Sequence, residues 1–289
     1  MVAPGSDWSD SVAQAALKRA EQIAIALDGV PSEAMESSVA AYQLAFSLYA
    51  DRFQKTLAHL RSLPDSAIVL VDSKLVKSHR LMHIMGLPHR LVDSIRSISD
   101  RPEIVFVGCQ DSGSLPGDTI TDLLADGVTL VTSDKSALAE PIRDVLQPTN
   151  PRPAHVARVR WLEGDPLSVG GSTSFDPYML PGVQLSAGHI PVATHETAPE
   201  QIDVLAINAI TNEPVIVHAQ IGRGRVVHAV PHWWQQDAAV RTVVDRRRLN
   251  VMPSFAQLGS RTGDVTFGEL QAARTMLRGL LTGLGPTAG

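Results

Sequence analysis

The side chains best suited to chemistry in this sequence follow the ends of short apolar runs. Cys109 follows one such run, Ser133 and Asp134 follow the next, and His232 follows a later one. A thiol or hydroxyl, a carboxylate and an imidazole are the groups that a nucleophile, an orienting acid and a general base require. One hypothesis is therefore a hydrolase that uses Cys109 or Ser133, with Asp134 in a supporting role and His232 as general base. The other is structural, because a free Cys at the end of an apolar strand is more often a small buried hydrophobe.

Two further pairs of residues lie beside these candidates in the sequence. Trp233 and Trp234 follow His232, and Asp111 and Ser112 follow Cys109 closely. Adjacent indoles beyond a strand are not easily both buried, so we expect at least one of them to line a crevice or a partner surface. A small ligand or carbohydrate bound through the tryptophans is a further hypothesis that the sequence does not separate from a partner surface.

Two pairs of histidines have a spacing that could suit a metal-binding site. His79 and His83 are four residues apart on a predicted helix, and His218 lies opposite His228 if the hairpin that contains them is symmetric about Arg223. Ordinary explanations are a solvated helix face and a cross-strand pair, and neither pattern has an evident third ligand. We therefore expect no metal and no cofactor. The single Cys in the sequence excludes an intrachain disulfide and an all-Cys zinc site.

The elements that would position these residues begin with four short apolar runs. Uniformly apolar strands that alternate with helical segments are typical of a parallel sheet covered on both faces. We predict a three-layer, doubly wound, mostly parallel α/β fold of flavodoxin-like type, with the candidate residues at the carboxyl ends of its strands, where ligands bind. The predicted strands are Ala67–Val71, His89–Val92, Glu103–Val107 and Val128–Thr132.

The later part of the chain contains a predicted hairpin. Its strands are Pro214–Ile221 and Arg225–Pro231, and a further strand is predicted near His155–Leu162. Gly222-Arg223-Gly224 supplies the glycines that a turn with positive φ favours. Helices are predicted at Gln236–Asn250 and Phe267–Leu284.

The first part of the chain predicts a helical hairpin. Between Ser32 and Leu63 apolar residues recur at spacings of three and four, which indicates one continuous helix after a shorter one. We expect the stripe either to pack on the core of the chain or to form a seam with a second copy or a protein partner. The aromatic residues of this stripe are Tyr42, Phe46, Tyr49 and Phe53. The predicted organisation is a helical hairpin over residues 1–64, an α/β core over residues 65–235 and a helical extension over residues 236–289.

Composition restricts the function classes. The 289 residues are 44% hydrophobic, enough for a large core, and 25 Lys and Arg against 30 Asp and Glu give a net charge of −5. Such a chain lacks the basic field that nucleic acid or an anionic membrane requires. Apolar stretches such as Ile68–Val71 are too short to span a membrane, and Met1–Asp7 has no signal-peptide pattern. We expect a cytoplasmic protein.

The strand order and the hairpin resemble a known family. Four strands, followed at a distance by Gly222-Arg223-Gly224-Arg225-Val226 and a His after the second hairpin strand, resemble the class I glutamine amidotransferase-like fold over Ser66–Gln235. The similarity is greatest to its ThuA-like branch and to the trimerisation domain of some beta-galactosidases.

The resemblance carries a negative implication for catalysis. In that family a nucleophilic Cys occupies a sharp elbow after the fourth strand, and its catalytic His precedes Pro and Glu. Here the elbow falls in Leu130–Ser136, which has no Cys, and His232 precedes two tryptophans. The resemblance therefore implies a pseudoenzyme, acting as a binding, assembly or regulatory module for a protein partner, a second copy or a small ligand.

Overall fold

The structure of the chain is a computed structural model that describes residues 40–47, 50, 52–71, 78–108, 115–153, 155–162, 182–185, 189–193, 202–233, 265 and 267–285. Within these described ranges, nine strands form one sheet in the order β2-β1-β3-β4-β9-β8-β7-β5-β6. They are β1 Ile68–Val71, β2 Arg90–Val92, β3 Ile104–Val107, β4 Thr129–Ser133, β5 His155–Trp161, β6 Gly182–Leu185, β7 Ile202–Asn208, β8 Pro214–Ile221 and β9 Gly224–Ala229.

The sheet has a parallel half and an antiparallel half. Strands β2, β1, β3, β4 and β9 run parallel to one another, whereas β8, β7, β5 and β6 continue the sheet from β9 with antiparallel pairs. Every residue of β1 and β3 is buried, as expected for strands covered on both faces. The predicted three-layer α/β class is confirmed, with a mixed sheet.

Helices cover both faces of this sheet. They are α1 at residues 40–47, α2 Gln54–Ser62, α3 Ser78–Met85, α4 Gly117–Ala125, α5 Ile142–Leu146 and α6 Phe267–Gly283. In the described part of the chain, no helix combines the length and apolar character needed to cross a membrane.

Two glycines show which helix lies on which face. A Cβ at Gly224 would lie 2.7 Å from the Cα of Leu124 in α4. A Cβ at Gly283 in α6 would lie 2.5 Å from Val227 Cγ1 and 2.6 Å from His218 Nε2. Because successive strand residues point to opposite faces, α4 and α6 pack on opposite sides of β9. This is the arrangement that a doubly wound sheet requires.

The N-terminal stripe is interrupted, so the prediction of one continuous helix over residues 32–63 is wrong. A turn at residues 52–53 precedes α2, which begins at Gln54. The side chains of Tyr42 and Phe46 are 1% and 0% exposed and belong to the core, while Phe53 packs partly buried against it. Two other predicted helices, near residues 12–27 and 236–250, lie outside the described residues.

The hairpin register differs from the prediction by one residue. Ile221 pairs with Gly224 and His218 with Val227, so the loop has two residues and is not centred on Arg223. Gly222 has φ 60°, as two-residue hairpin loops favour at their first position. Since His228 pairs with Val217, His218 and His228 occupy opposite faces and do not form the predicted cross-strand pair. Strand β9 also ends at Ala229, two residues earlier than predicted.

Candidate functional site

The predicted site lies at the carboxyl ends of β4 and β9, where Asp134 makes a sharp turn. Asp134 directly follows β4, begins the 3₁₀ helix Asp134–Leu138 and has φ 48°. Few residues other than glycine adopt positive φ, and Asp and Asn tolerate it better than most. The strand-to-helix turn is thus the elbow that the sequence places here, with a carboxylate at its tip.

The Asp134 carboxylate is buried, with a hydrogen bond on Oδ1 and an imidazole near Oδ2. Its Oδ1 accepts a hydrogen bond from the backbone N–H of Ile190 at 3.0 Å. Its Oδ2 lies 3.6 Å from Nε2 of His232, and the two side chains are 4% and 12% exposed. The pair therefore joins β4 to the segment around residue 190 and to the chain that follows β9.

Hydrogen bonds around this pair tie the neighbouring residues into the core. The indole N–H of Trp233 donates to the carbonyl of Thr132 at 2.8 Å, and the Tyr42 hydroxyl donates to the carbonyl of Trp233 at 2.7 Å. Thr132 Oγ1 lies 3.0 Å from His228 Nδ1. Ser133 is 1% exposed and Trp233 4% exposed. The described residues of this edge are therefore mostly interior.

Burial also determines the charge state of two histidines. Desolvation lowers the pKa of His228 to about 4, although the nearby Asp134 acts in the opposite direction. Desolvation and the positive charge of Arg225 lower the pKa of His218 to about 4 as well. Both imidazoles are neutral near pH 7, so the interior of the sheet contains no histidine cation at these positions.

The structure brings together Ser133, Asp134, His232 and Trp233 among the predicted site residues. Burial removes Trp233, like Tyr42 and Phe46, from the surface available to a partner. The remaining predicted positions lie outside the described residues, and they are Cys109, Asp111, Ser112, Trp234 and Tyr49.

The histidine patterns also have structural explanations. His79 and His83 lie on α3 in edge-to-face contact, with ring centroids 6.2 Å apart, and His83 contacts His89 in the same way at 5.1 Å. Within the described ranges, no three His, Cys, Asp or Glu side chains are arranged to hold a metal ion.

A cleft of about 390 Å³ lies at the opposite edge of the sheet, near the amino ends of β3, β4 and β9. The sequence did not predict this cleft, because ligand sites in parallel sheets are expected at the carboxyl ends of the strands. A signal was present, since Arg101, Glu103 and Asp126 are charged residues at or within two residues of the start of two predicted strands. The lining residues are His59, Leu60, Arg101, Pro102, Glu103, Ile104, Asp126, Gly127, Thr129, Arg225, Leu284 and Gly285.

The two acidic side chains of the cleft lie close to basic side chains, whereas Arg225 is held by a backbone carbonyl. Asp126 lies 3.2 Å from Arg101 and 3.6 Å from Arg223, and Glu103 lies 3.8 Å from His59. The half-buried Arg225 donates from Nη1 to the carbonyl of Gly285 at 3.2 Å. Among the described residues no carboxylate is recorded in an ion pair with Arg225, and desolvation lowers the pKa of its guanidinium.

Comparison with known proteins gives only distant structural similarities. No family model and no curated protein matches the sequence. The GH42 beta-galactosidase Gan42B from G. stearothermophilus is 10% identical with a TM-score of 0.36, over 66% of this chain and 31% of that one. The exo-beta-1,4-mannosidase Op5Man5 from Opitutaceae bacterium strain TAV5 is 12% identical with a TM-score of 0.38, over 82% and 39%.

A shorter protein covers a similar part of the chain. Cytoplasmic protein STM3548 from Salmonella typhimurium is 9% identical with a TM-score of 0.42, over 73% of this chain and 98% of that one. The chain therefore spans about a third of the length of the two glycosidases, with 31% and 39% covered. Similarity at this level does not assign a function, so the side chains of the chain itself carry the proposals that follow.

Proposed function

We propose that this chain is a non-catalytic α/β module that binds a small ligand or a protein partner. One observation carries the proposal: the Asp134 carboxylate at the elbow is almost fully buried, accepts a hydrogen bond from the backbone N–H of Ile190, and has Nε2 of His232 3.6 Å from its other oxygen. A carboxylate enclosed in this way lies where three chain segments meet. It offers little freedom to a reacting substrate.

The surroundings of Asp134 support a structural role. Ser133, the hydroxyl next to it, is 1% exposed, and Trp233 donates its indole N–H to the main chain of β4. A buried acid–imidazole pair becomes costly when one partner is removed, because the other is left in a poorly solvated place. The polar residues that would otherwise form a reaction site thus hold β4 and β9 in place.

A small ligand is favoured over a protein partner, because the aromatic side chains expected at a partner surface are buried. The aromatic side chains expected to form a partner surface, Tyr42, Phe46 and Trp233, lie in the core. The cleft at the other edge has a volume in the range of small-molecule sites. Light scattering across a dilution series tests for a second copy, and a mass that stays monomeric at every concentration favours the small ligand.

The structural role of Asp134 is tested by measuring unfolding free energies of Asp134→Asn and Asp134→Gly. Asparagine keeps the size and tolerates positive φ, whereas glycine removes both the carboxylate and the backbone strain. If the pair is structural, both variants lose about 1–3 kcal/mol, even though glycine relieves strain. The matched control is Asp122→Asn, an exposed carboxylate on α4 whose loss changes stability by less than about 0.5 kcal/mol.

The same variants contradict the proposal if they are as stable as the parent or more stable. That result is typical of functional sites, where strained residues reduce stability and their replacement restores it. Such a result would indicate that Asp134 serves a reaction site and does not stabilise the fold.

A second candidate function is a hydrolase at the elbow. The observation that favours it is the positive φ of Asp134, next to an imidazole 3.6 Å from its carboxylate. Strained backbone after a central strand is a feature of nucleophile elbows, and His232 would act as general base. A panel of activated esters tests this function. Turnover that disappears in both Asp134→Asn and His232→Gln would support it, and absence of turnover in the parent would exclude it for esters.

A further inference from the structure

We propose that the cleft at the amino ends of β3, β4 and β9 binds a small carboxylic acid, whose carboxylate is held by Arg225. This proposal names the ligand class of the binding function above and rests on it. Its first support is position, because Arg225, the second residue of β9, lies directly beside Thr129 in β4, and Thr129 is beside Ile104 in β3. The three side chains form a row on one face of the sheet.

The walls of the cleft come from elements on that same face. Leu284 and Gly285 follow the end of α6, and His59 and Leu60 belong to the last part of α2. The residues before β3 and β4 supply the charged rim. A ligand in the cleft would therefore meet a basic group at the sheet and apolar side chains beside it.

Arg225 has unused binding capacity toward this space. Guanidinium groups offer five N–H donors in a planar fork, and within the described part of the chain Arg225 donates to one acceptor, the Gly285 carbonyl, from Nη1. A partly buried cation without a counter-ion is unfavourable, whereas a carboxylate can accept two parallel hydrogen bonds from the remaining donors. Of the two acids of the cleft, Asp126 is paired with Arg101 and Arg223, and Glu103 lies 3.8 Å from the imidazole of His59.

The charge balance favours a carboxylate over a phosphate. Arg101 and Arg225 contribute two positive charges to the lining, and Glu103 and Asp126 contribute two negative charges. A dianionic phosphate would meet repulsion from Glu103, while a single negative charge on Arg225 adds little repulsion. The hydrocarbon part of a short acid would lie beside Leu284.

The test uses butanoate and benzoate as probes of the full-length chain, with butanamide and benzamide as uncharged controls. Amide-proton chemical shifts in NMR, or heats in calorimetry, follow the titration. We expect saturable binding of at least one acid with a Kd near 1 mM, roughly what one charge-assisted pair plus a small apolar contact provides. Both amides should bind at least about 10-fold more weakly, because each 1.4 kcal/mol is tenfold.

Two variants locate the site. Arg225→Gln should remove saturable acid binding, and Arg225→Lys should weaken it, because an ammonium lacks the planar fork. Glu103→Gln should tighten binding by about 2- to 5-fold, since it removes a nearby negative charge. An increase in affinity cannot arise from a variant that fails to fold, so this variant keeps the proposal testable if Arg225→Gln is unstable.

Several results would overturn the proposal. They are absence of saturable binding by either acid, unchanged acid binding in Arg225→Gln, weaker acid binding in Glu103→Gln, and inorganic phosphate binding more tightly than both acids. Failure of the proposed non-catalytic function is a separate result, because it is measured by the stability of the Asp134 variants without any ligand.

Discussion

Two aspartates at opposite edges of the sheet have different surroundings. Asp134 at the carboxyl edge is 4% exposed and joins three segments of the chain. Asp126 at the amino edge is 33% exposed, and its two arginine partners are 80% and 75% exposed. The polar residues at the expected edge are therefore buried in contacts within the fold, whereas the solvent-accessible charges lie at the other edge.

The largest expected effect is an acid sensitivity of the buried histidines. His218 and His228 have pKa values lowered to about 4, whereas an unfolded imidazole titrates near 6.5. Between these values the unfolded state binds more protons, so stability falls as pH decreases from 6.5 toward 4 and then levels off. Each histidine contributes a loss of roughly 3 kcal/mol over that range. Urea unfolding at several pH values measures it.

The control for this prediction is a substitution that removes no titratable group. His228→Gln should reduce the slope of stability against pH, while Gln220→Ala, at an exposed position of β8, should leave the slope unchanged. An equal effect of the two substitutions would contradict the prediction.

An intermediate effect is expected from Trp233→Phe. The substitution removes the indole N–H that donates to Thr132 and leaves a small cavity beside a buried carbonyl. We expect a loss of about 2 kcal/mol in urea unfolding. Tyr42→Phe, which removes only the hydroxyl that donates to Trp233, should cost about 1 kcal/mol. A loss of unfolding free energy below about 0.5 kcal/mol for Trp233→Phe is typical of a surface substitution and would contradict the buried position of this indole.

The smallest effect is expected from Asp126→Asn. Its ion pairs with Arg101 and Arg223 involve mostly exposed arginines, and such pairs contribute about 0–1 kcal/mol. The loss should shrink further in high salt because the charges are screened. If Asp126→Asn costs as much as Asp134→Asn, the contrast between a buried and an exposed aspartate is wrong.

Much of the α/β core could be predicted, because a strand made entirely of apolar residues indicates that both of its faces are buried. The apolar residues of β1 and β3 occur in unbroken runs, which only a sheet covered on both faces requires. The hairpin register could not be predicted, since two glycines flank Arg223 and either could serve the turn. Gly222 makes the turn, and Gly224 instead allows Leu124 of α4 to approach closely. Packing against a distant helix decided the register.

The contacts of Asp134 at the elbow could not be predicted from local sequence patterns either. Asp134 and His232 were both candidates, but the contact from Ile190 comes from a residue 56 positions away. Nothing in the sequence around residue 190 marks it as a partner of a carboxylate. The cleft was missed for a similar reason, because α2, α6 and three strand ends contribute to it.

The place of β9 in the sheet has a consequence for folding kinetics. β9 completes the parallel half by lying between β4 and β8, and Thr132 and His228, which face each other there, are 96 residues apart in sequence. Closing so long a loop loses chain entropy before the pairing returns any stability. Until β9 arrives, β4 has an open edge that another chain could pair with. Refolding should therefore be slow and should lose yield as protein concentration rises.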